Sequence, residues 1–439
     1  MLITQNKRKM DDRERKGIIE LIQQEVVPAI GCTEPIAVAL CVARAKELLG
    51  AMPDQIEVYL SANMLKNAMG VGIPSTDQIG LPITVALGAI VGKSKYGLEV
   101  LKESTPEAVH KANEFVDTAD ISIELKKGSC DKLFIEVKVY AGDEYAEAVI
   151  SGSHTHFTYL AKNGVAHLDE KSISKESEVT QLDLNLKKIV EFASSEPYEN
   201  IQFILESARL NKQAAKAALK SDYGHGVGKM LAMQYRSENP VIGNSVYVKA
   251  LSATAAATDA RMAGAMVQVM SNSGSGNQGI SATLPVVVYA EENSKSDEEL
   301  ARALILSHLT AIYIKQSLGR LSALCGCVVA GTGASCGITY LMGGAYKEIS
   351  FAVQNMIANI TGMLCDGAKP SCSLKVATGV STAVLSALLA MDGKCVTSAE
   401  GIVDEDVDQT IQNLTRIGSK GMQETDRVVL DIMTGKKKG

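Results

Sequence analysis

The feature that most constrains this chain is a change of hydrophobic period along it. From Gly17 to Val27 apolar residues recur at Ile18, Ile22 and Val26, the four-residue spacing of one helix face, and Pro28 ends the run. After Pro53 the period drops to two: Ile56, Val58 and Leu60 alternate as in a strand, as do the stretches Ile121 to Leu125, Leu133 to Tyr140 and Ala146 to Ser151. Helical spacing returns after Leu182, and within Glu299 to Gln316 the residues Leu304, Ile305, His308, Leu309 and Ile312 share one face. The pattern predicts an α+β protein. Residues 11–53 and 182–439 form a discontinuous, mainly helical domain, and residues 54–181 an inserted α+β domain with the acidic, Ser-rich run Asp169 to Glu178 as its exit linker. Only two later stretches, Ser245 to Lys249 and Pro285 to Ala290, read as a candidate strand pair.

Local signals fix several ends. Thr33, Glu34 and Pro35 supply a hydroxyl cap, an acid and a first-turn proline for a helix running to about Leu49, so Cys32 sits at a helix amino terminus after the turn at Gly31. Leu81 to Val91 and Pro106 to Val116 read as helices within the inserted unit. A helix ending near Met270 is expected to precede the glycine-rich segment Ser271 to Ile280.

Composition excludes several classes of function. A hydrophobic content of 46% supplies a core for every unit, and the absence of Trp with few Phe favours helices packed through small residues, for which a homodimer fits. A net charge of -6 argues against nucleic acid, because phosphate binding needs clustered Lys and Arg; Lys436, Lys437 and Lys438 read as a short solvated tail. Charged residues from Lys7 to Lys16 occupy the place of a signal-peptide core, so the reading is cytoplasmic. The uncharged stretch Leu321 to Tyr346 is broken by Gly, Ser, Thr and Cys, and Val376 to Met391 is short for a bilayer, so no membrane is expected. In a reducing compartment the nine cysteines are small hydrophobes, ligands or nucleophiles, not a disulfide framework.

Some segments suit chemistry. SNSGSGNQGI, Ser271 to Ile280, offers glycines whose N–H groups can converge on a carboxylate or phosphate, but lacks the Gly-Lys-Ser/Thr ending of a nucleotide loop. Asn63, Lys66 and Asn67 stand at helical spacing beside the turn at Gly70, Gly72 and Pro74, and a Lys flanked by amides suits a substrate carboxylate. Cys325 and Cys365 fall near helix ends or tight turns, where a thiolate is tolerated, although their spacing is neither that of a ferredoxin nor of structural zinc. His154 and His225 lie in turns and can carry protons near neutrality, whereas His308 reads as a core histidine.

Taken in order, GCTEP (Gly31 to Pro35), NMLKNAMGVGIP (Asn63 to Pro74), DARMAG (Asp259 to Gly264), SNSGSGNQGI, LSALC (Leu321 to Cys325) and MLCDGAK (Met363 to Lys369) resemble the L-cysteine desulfidase family, which is related to the alpha chain of iron–sulfur L-serine dehydratases. The resemblance implies that the helical domain is catalytic and that Cys32, Cys325 and Cys365 hold a [4Fe-4S] cluster with one open iron. Cys327 and Cys372 are competing ligands. It implies a lyase that eliminates sulfide from a small amino acid, L-cysteine, to give hydrogen sulfide, pyruvate and ammonia. Ser271, Asn272, Ser273, Gly274, Ser275, Gly276 and Asn277, with Asn63, Lys66, Asn67 and Arg261, would hold the substrate carboxylate, and Lys66 or His154 would take the α-proton.

Three readings compete. L-serine dehydration would use the same cluster. Pyridoxal phosphate chemistry would use SNSGSGNQG as its phosphate loop and Lys375 or Lys369 as the Schiff base. A cysteine- or redox-sensing cluster protein would bind without turnover.

Overall fold

The computed structural model describes residues 10–170, 182–238, 241–319 and 321–436. Most of the proposed exit linker, residues 171–178, and the tail residues Lys437 and Lys438 lie outside them. The fold is α+β, 58% helical with 13% strand.

The alternating stretches form a six-stranded mixed sheet in the order Asp120–Leu125, Gln55–Leu60, Phe134–Ala141, Glu144–Ser151, Phe157–Lys162, Val165–Asp169. Only the first two of these neighbours run parallel, joined through the helices Leu81–Ile90 and Pro106–Thr118. Register follows the apolar alternation: Ile56, Val58 and Leu60 stand opposite Val139, Val137 and Ile135, all fully buried on one face. The helix Thr33–Leu49 covers that face, with Ile36, Leu40 and Val42 in the same apolar core as the strands. This helix, expected in the helical domain, therefore packs on the sheet.

Elsewhere the structure corrects the sequence reading. The first helix is Asp12–Glu25, started by a capping box between Asp11 and Glu14 that the apolar pattern did not register. The expected strands Ser245 to Lys249 and Pro285 to Ala290 fall instead on the helices Val246–Met262, which Ser245 caps, and Gly276–Glu292. Pro285 and the Val run that follows it imitate a strand, yet burial of the helix overrides local propensity. The two strands after Ser151, Phe157–Lys162 and Val165–Asp169, had no clear alternation to announce them.

The carboxy-terminal helices form the second large core around Asp297–Leu318, which packs along Gly326–Leu341. His308 is fully buried there, as expected. The stretch Leu321 to Tyr346 is interrupted, its helix beginning only at Gly326. The helix that carries the second uncharged stretch is longer than that stretch, because it begins at Cys372 and includes Lys375. Cys372–Met391 is long and apolar enough to cross a membrane by length and composition, and 44% of its apolar window is buried. It packs against Val246–Met262, Gly326–Leu341 and Tyr346–Ile360.

Candidate active site

The segment before SNSGSGNQGI is a strand, not the end of a helix. Gln268–Met270 pairs antiparallel with Pro28–Ile30, Pro28 opposite Met270. The pairing continues through Ser271 N–H to the Val27 carbonyl (2.8 Å) and Ser273 N–H to that of Glu25 (2.9 Å). This two-stranded ribbon sets Gly31 and Cys32 beside the glycine loop, and Thr33 Oγ1 lies 3.2 Å from the Gly274 carbonyl. Within the loop Asn272 and Ser275 exchange backbone hydrogen bonds of 3.0 Å, with Ser273 (φ 49) and Gly274 (φ 79) both left-handed at the tip. Glycine adopts this at no cost, whereas Ser273 holds strain of about 1 kcal/mol or more.

Cys325 and Cys365 meet through a second short pairing. Leu324 and Leu364 form an antiparallel bridge, Cys325 N–H donates to the Met363 carbonyl (3.0 Å) and Cys365 N–H to that of Ala323 (2.6 Å). The thiols thus come from adjacent segments 40 positions apart in sequence. Glycines mark where the remaining motifs touch: a Cβ on Gly72 would fall 2.2 Å from the Ala263 carbonyl carbon, and one on Gly367 would fall 2.2 Å from the Lys66 carbonyl oxygen. The motifs are contact points around one space.

That space is a cavity of about 120 Å³. Cys32, Cys325 and Cys365 line it together with Cys327 and Cys372, so five of the nine cysteines stand around one cavity. Residues from the amino-terminal ends of the helices Thr33–Leu49, Gly276–Glu292, Gly326–Leu341 and Cys372–Met391 line it too. Helix amino termini carry partial positive charge, so the cavity favours anions. Cys32 and Cys325 are themselves the N-cap residues of two of these helices and make no side-chain cap bond, which leaves their sulfurs available beside helix amino ends.

The thiols differ in environment. Cys325 is held below the usual thiol range, chiefly because it accepts the Cys327 thiol proton at 3.3 Å. Burial pushes Cys365 up, opposed by the charges of Lys66 and Lys375. Cys32 is raised by burial and then by Glu34, whose carboxylate accepts its thiol at 3.0 Å; the Arg261 charge opposes both. Among the described residues no group of three His, Cys, Asp or Glu side chains can hold one metal ion. A [4Fe-4S] cluster asks for soft thiolates around a rim that its own irons and sulfides bridge, and Cys32, Cys325 and Cys365 all line this cavity, so the residues present fit such a group.

Arg261 is 3% exposed and lines the cavity, has no ion-pair partner among the described residues, and leaves its Nε without a hydrogen bond. One Nη donates to Asn277 Oδ1 at 3.1 Å. Gln278 N–H is taken by Ser275 Oγ and Gly279 N–H by the Ser275 carbonyl, so the N–H groups of Gly276 and Asn277 are left without an intrahelical partner. A buried cation beside helix-start amides is an arrangement that suits an anion.

The remaining sequence-derived residues divide. Asn67, His154, Ser273, Gly274, Ser275 and Asn277 line the cavity, His154 arriving from the turn after the strand Glu144–Ser151. Ser271 and Asn272 stand behind it: Ser271 Oγ donates to the Val27 carbonyl (2.6 Å), and Asn272 is fully buried against His308. Gly276 lies at the helix start against Arg261. Asn63 and Lys66 do not open onto the cavity. Both bind Asp426 of the carboxy-terminal helix Gln423–Thr434, Asn63 Nδ2 at 2.9 Å and Lys66 through an ion pair, so their carboxylate partner is internal. Lys369 and Lys375 both pair with Asp366 and neither lines the cavity, which removes the support for a Schiff-base lysine. His225 stays outside as well. Reading the sequence missed Glu34, Gln278, Lys315 and Ser322, all of which line the cavity. Glu34, Gln278 and Ser322 lie within motifs named above, whereas Lys315 carries no local signal.

Residues 95–431 match the family described as serine dehydratase alpha chain. UPF0597 protein BF3560 of Bacteroides fragilis is 67% identical over 97% of this chain and 100% of its own length. A UPF0597 protein of Porphyromonas gingivalis is 54% identical over 98% and 100%, and UPF0597 protein YhaM of Salmonella gallinarum 42% over 96% and 97%. The chain belongs to the serine dehydratase alpha chain family.

Proposed function

We propose that this protein is an L-cysteine desulfidase, a lyase that removes sulfide from L-cysteine by non-redox α,β-elimination with a [4Fe-4S] cluster held by Cys32, Cys325 and Cys365. Membership of the serine dehydratase alpha chain family supports a lyase. The observation that carries the reading is the meeting, in one cavity, of those three thiols with the buried, unpaired Arg261.

When bound, the cluster supplies a Lewis-acidic iron toward the leaving sulfur. Arg261 and the N–H groups of Gly276 and Asn277 hold the substrate carboxylate, which fixes the Cα–H bond. His154 takes the α-proton. Lys66 is the weaker candidate, because Asp426 holds it away from the cavity. The Cα–H electron pair becomes the Cα=Cβ bond and the Cβ–S pair leaves with sulfide. Aminoacrylate then tautomerises and hydrolyses to pyruvate and ammonia. Leu321, Leu324, Ala368 and Val376 give the wall apolar surface, which suits a thiol better than a more strongly hydrated hydroxyl.

The second reading, L-serine dehydration, is favoured by the family description itself. Anaerobic assays of pyruvate and sulfide release with both substrates decide: higher kcat/KM for cysteine supports the desulfidase, and higher kcat/KM for serine replaces it. Cysteine bound without product formation would make the protein a sensor.

A further inference from the structure

We infer that Gln278 is the residue that recognises the α-ammonium group of the substrate, and that Asn272 and His308 hold its carboxamide in the orientation to do so. The inference rests on the amino-acid substrate proposed above.

Gln278 is 1% exposed and lines the cavity, yet its Oε1 has no hydrogen-bond partner. This oxygen lies beside Gly326, where an added Cβ would come within 3.3 Å of it. A buried amide oxygen left unpaired costs stability unless a ligand completes it. Arg261, which lines the same cavity, presents an unpaired donor. An α-amino acid brings the complement of both: a carboxylate for Arg261 and an ammonium for Gln278.

The orientation of the amide is determined by fixed backbone acceptors. Asn272 Nδ2 lies 3.1 Å from the His308 carbonyl, which only accepts, so the nitrogen of Asn272 must face that way. The same Nδ2 lies 3.1 Å from His308 Nδ1, which therefore carries the lone pair. His308 Nε2–H then donates to Thr283 Oγ1 at 3.0 Å, and Thr283 sends its own proton to the Gly279 carbonyl at 2.7 Å. With its nitrogen committed, Asn272 turns Oδ1 toward Gln278, accepting Nε2 at 2.8 Å and Ser273 Oγ at 2.9 Å. A flipped Gln278 would set its oxygen against Asn272 Oδ1 and the Asn272 carbonyl, both acceptors. The oxygen is thus held toward the cavity by a relay with no free choice in it. Burial keeps His308 neutral, its pKa pushed down to about 3, so the relay does not change with pH near neutrality.

The test compares L-cysteine with 3-mercaptopropionate, which keeps the thiol and carboxylate but lacks the ammonium, as substrate and competitive inhibitor of the anaerobic holoenzyme. Gln278→Met is expected to raise KM for L-cysteine roughly 10- to 100-fold with much less change in kcat, and to leave Ki for 3-mercaptopropionate unchanged. His308→Leu removes one of the two acceptors that face Asn272 Nδ2 and should show a smaller loss of the same selective kind, which His308→Gln, restoring an acceptor, should recover. Equal weakening of both ligands by Gln278→Met would overturn the inference and make the residue a prop of the loop. An unchanged KM for L-cysteine would overturn it too. Wild-type protein that neither binds nor converts L-cysteine would instead sink the substrate reading on which it rests. Should His308→Leu fail to fold, Gln278→Met alone decides.

Discussion

Arg261 packs against Gly276 so closely that a Cβ added there would fall 2.2 Å from the guanidinium Nε. The glycine lets a cation lie across the start of a helix, where the partial charge is also positive. Such an arrangement is unfavourable until an anion fills it. Gly276→Ala is therefore expected to displace Arg261 and raise KM for the amino-acid substrate. Arg261→Lys should raise it roughly 30- to 100-fold, because the planar donor edge is lost while the charge is kept. Steady-state kinetics check both, and unchanged KM values would remove Arg261 from the carboxylate site.

A second prediction concerns stability. Lys66 is 1% exposed and its partner Asp426 20%. Asp426→Ala leaves a buried charge unpaired and should cost about 3 kcal/mol, the lower end for a buried pair because Asp426 is partly solvated. Lys66→Met combined with Asp426→Leu should recover most of that loss. Urea unfolding of the wild type and the two variants measures it, and a loss below about 1 kcal/mol would show the pair to be no more than a surface contact.

The third follows from His308. Its folded pKa lies at about 3, against about 6.5 when unfolded. Below about pH 6.5 the unfolded chain binds a proton that the folded chain refuses, so this stabilisation is complete at neutral pH and falls as pH drops toward 3. The slope is roughly 1.4 kcal/mol per pH unit. Denaturant titrations at two acidic pH values should show His308→Gln with a slope smaller by one proton; identical slopes would mean that the ring titrates normally in the folded protein.

The fourth separates the cysteines. Cys32→Ala, Cys325→Ala and Cys365→Ala should each lose iron and activity, whereas Cys327→Ala and Cys372→Ala keep both at reduced level. Cys327 gives its thiol proton to Cys325 and also lies 3.1 Å from the Met363 sulfur, so it supports Cys325. Iron retained in Cys325→Ala but lost in Cys327→Ala would exchange the two roles.

Much of this was legible in residue order and part was not, for physical reasons. The helix Thr33–Leu49 declared itself by its acid and first-turn proline, although Cys32 rather than the expected Thr33 is its N-cap, and the central strands declared themselves by alternation. The ribbon of Pro28–Ile30 with Gln268–Met270 did not. Three-residue strands that pair across more than two hundred positions have too few residues to show a period, yet this ribbon is what brings Cys32 to the glycine loop. Asn63 and Lys66 looked like a carboxylate site and are one, but for Asp426 of the same chain, a partner that spacing along one helix cannot reveal. Gln278 lay inside a quoted motif unnoticed, because an unpaired amide oxygen is a property of the packed structure.

The central claim is a cluster with one iron open to substrate, gripped by Cys32, Cys325 and Cys365. Mössbauer spectroscopy of ⁵⁷Fe-labelled protein purified without oxygen, recorded with and without L-cysteine, tests it most directly. The account predicts a [4Fe-4S] spectrum in which one iron subsite alone shifts when L-cysteine is added. Absence of iron, or a cluster whose four subsites all ignore the substrate, would contradict it.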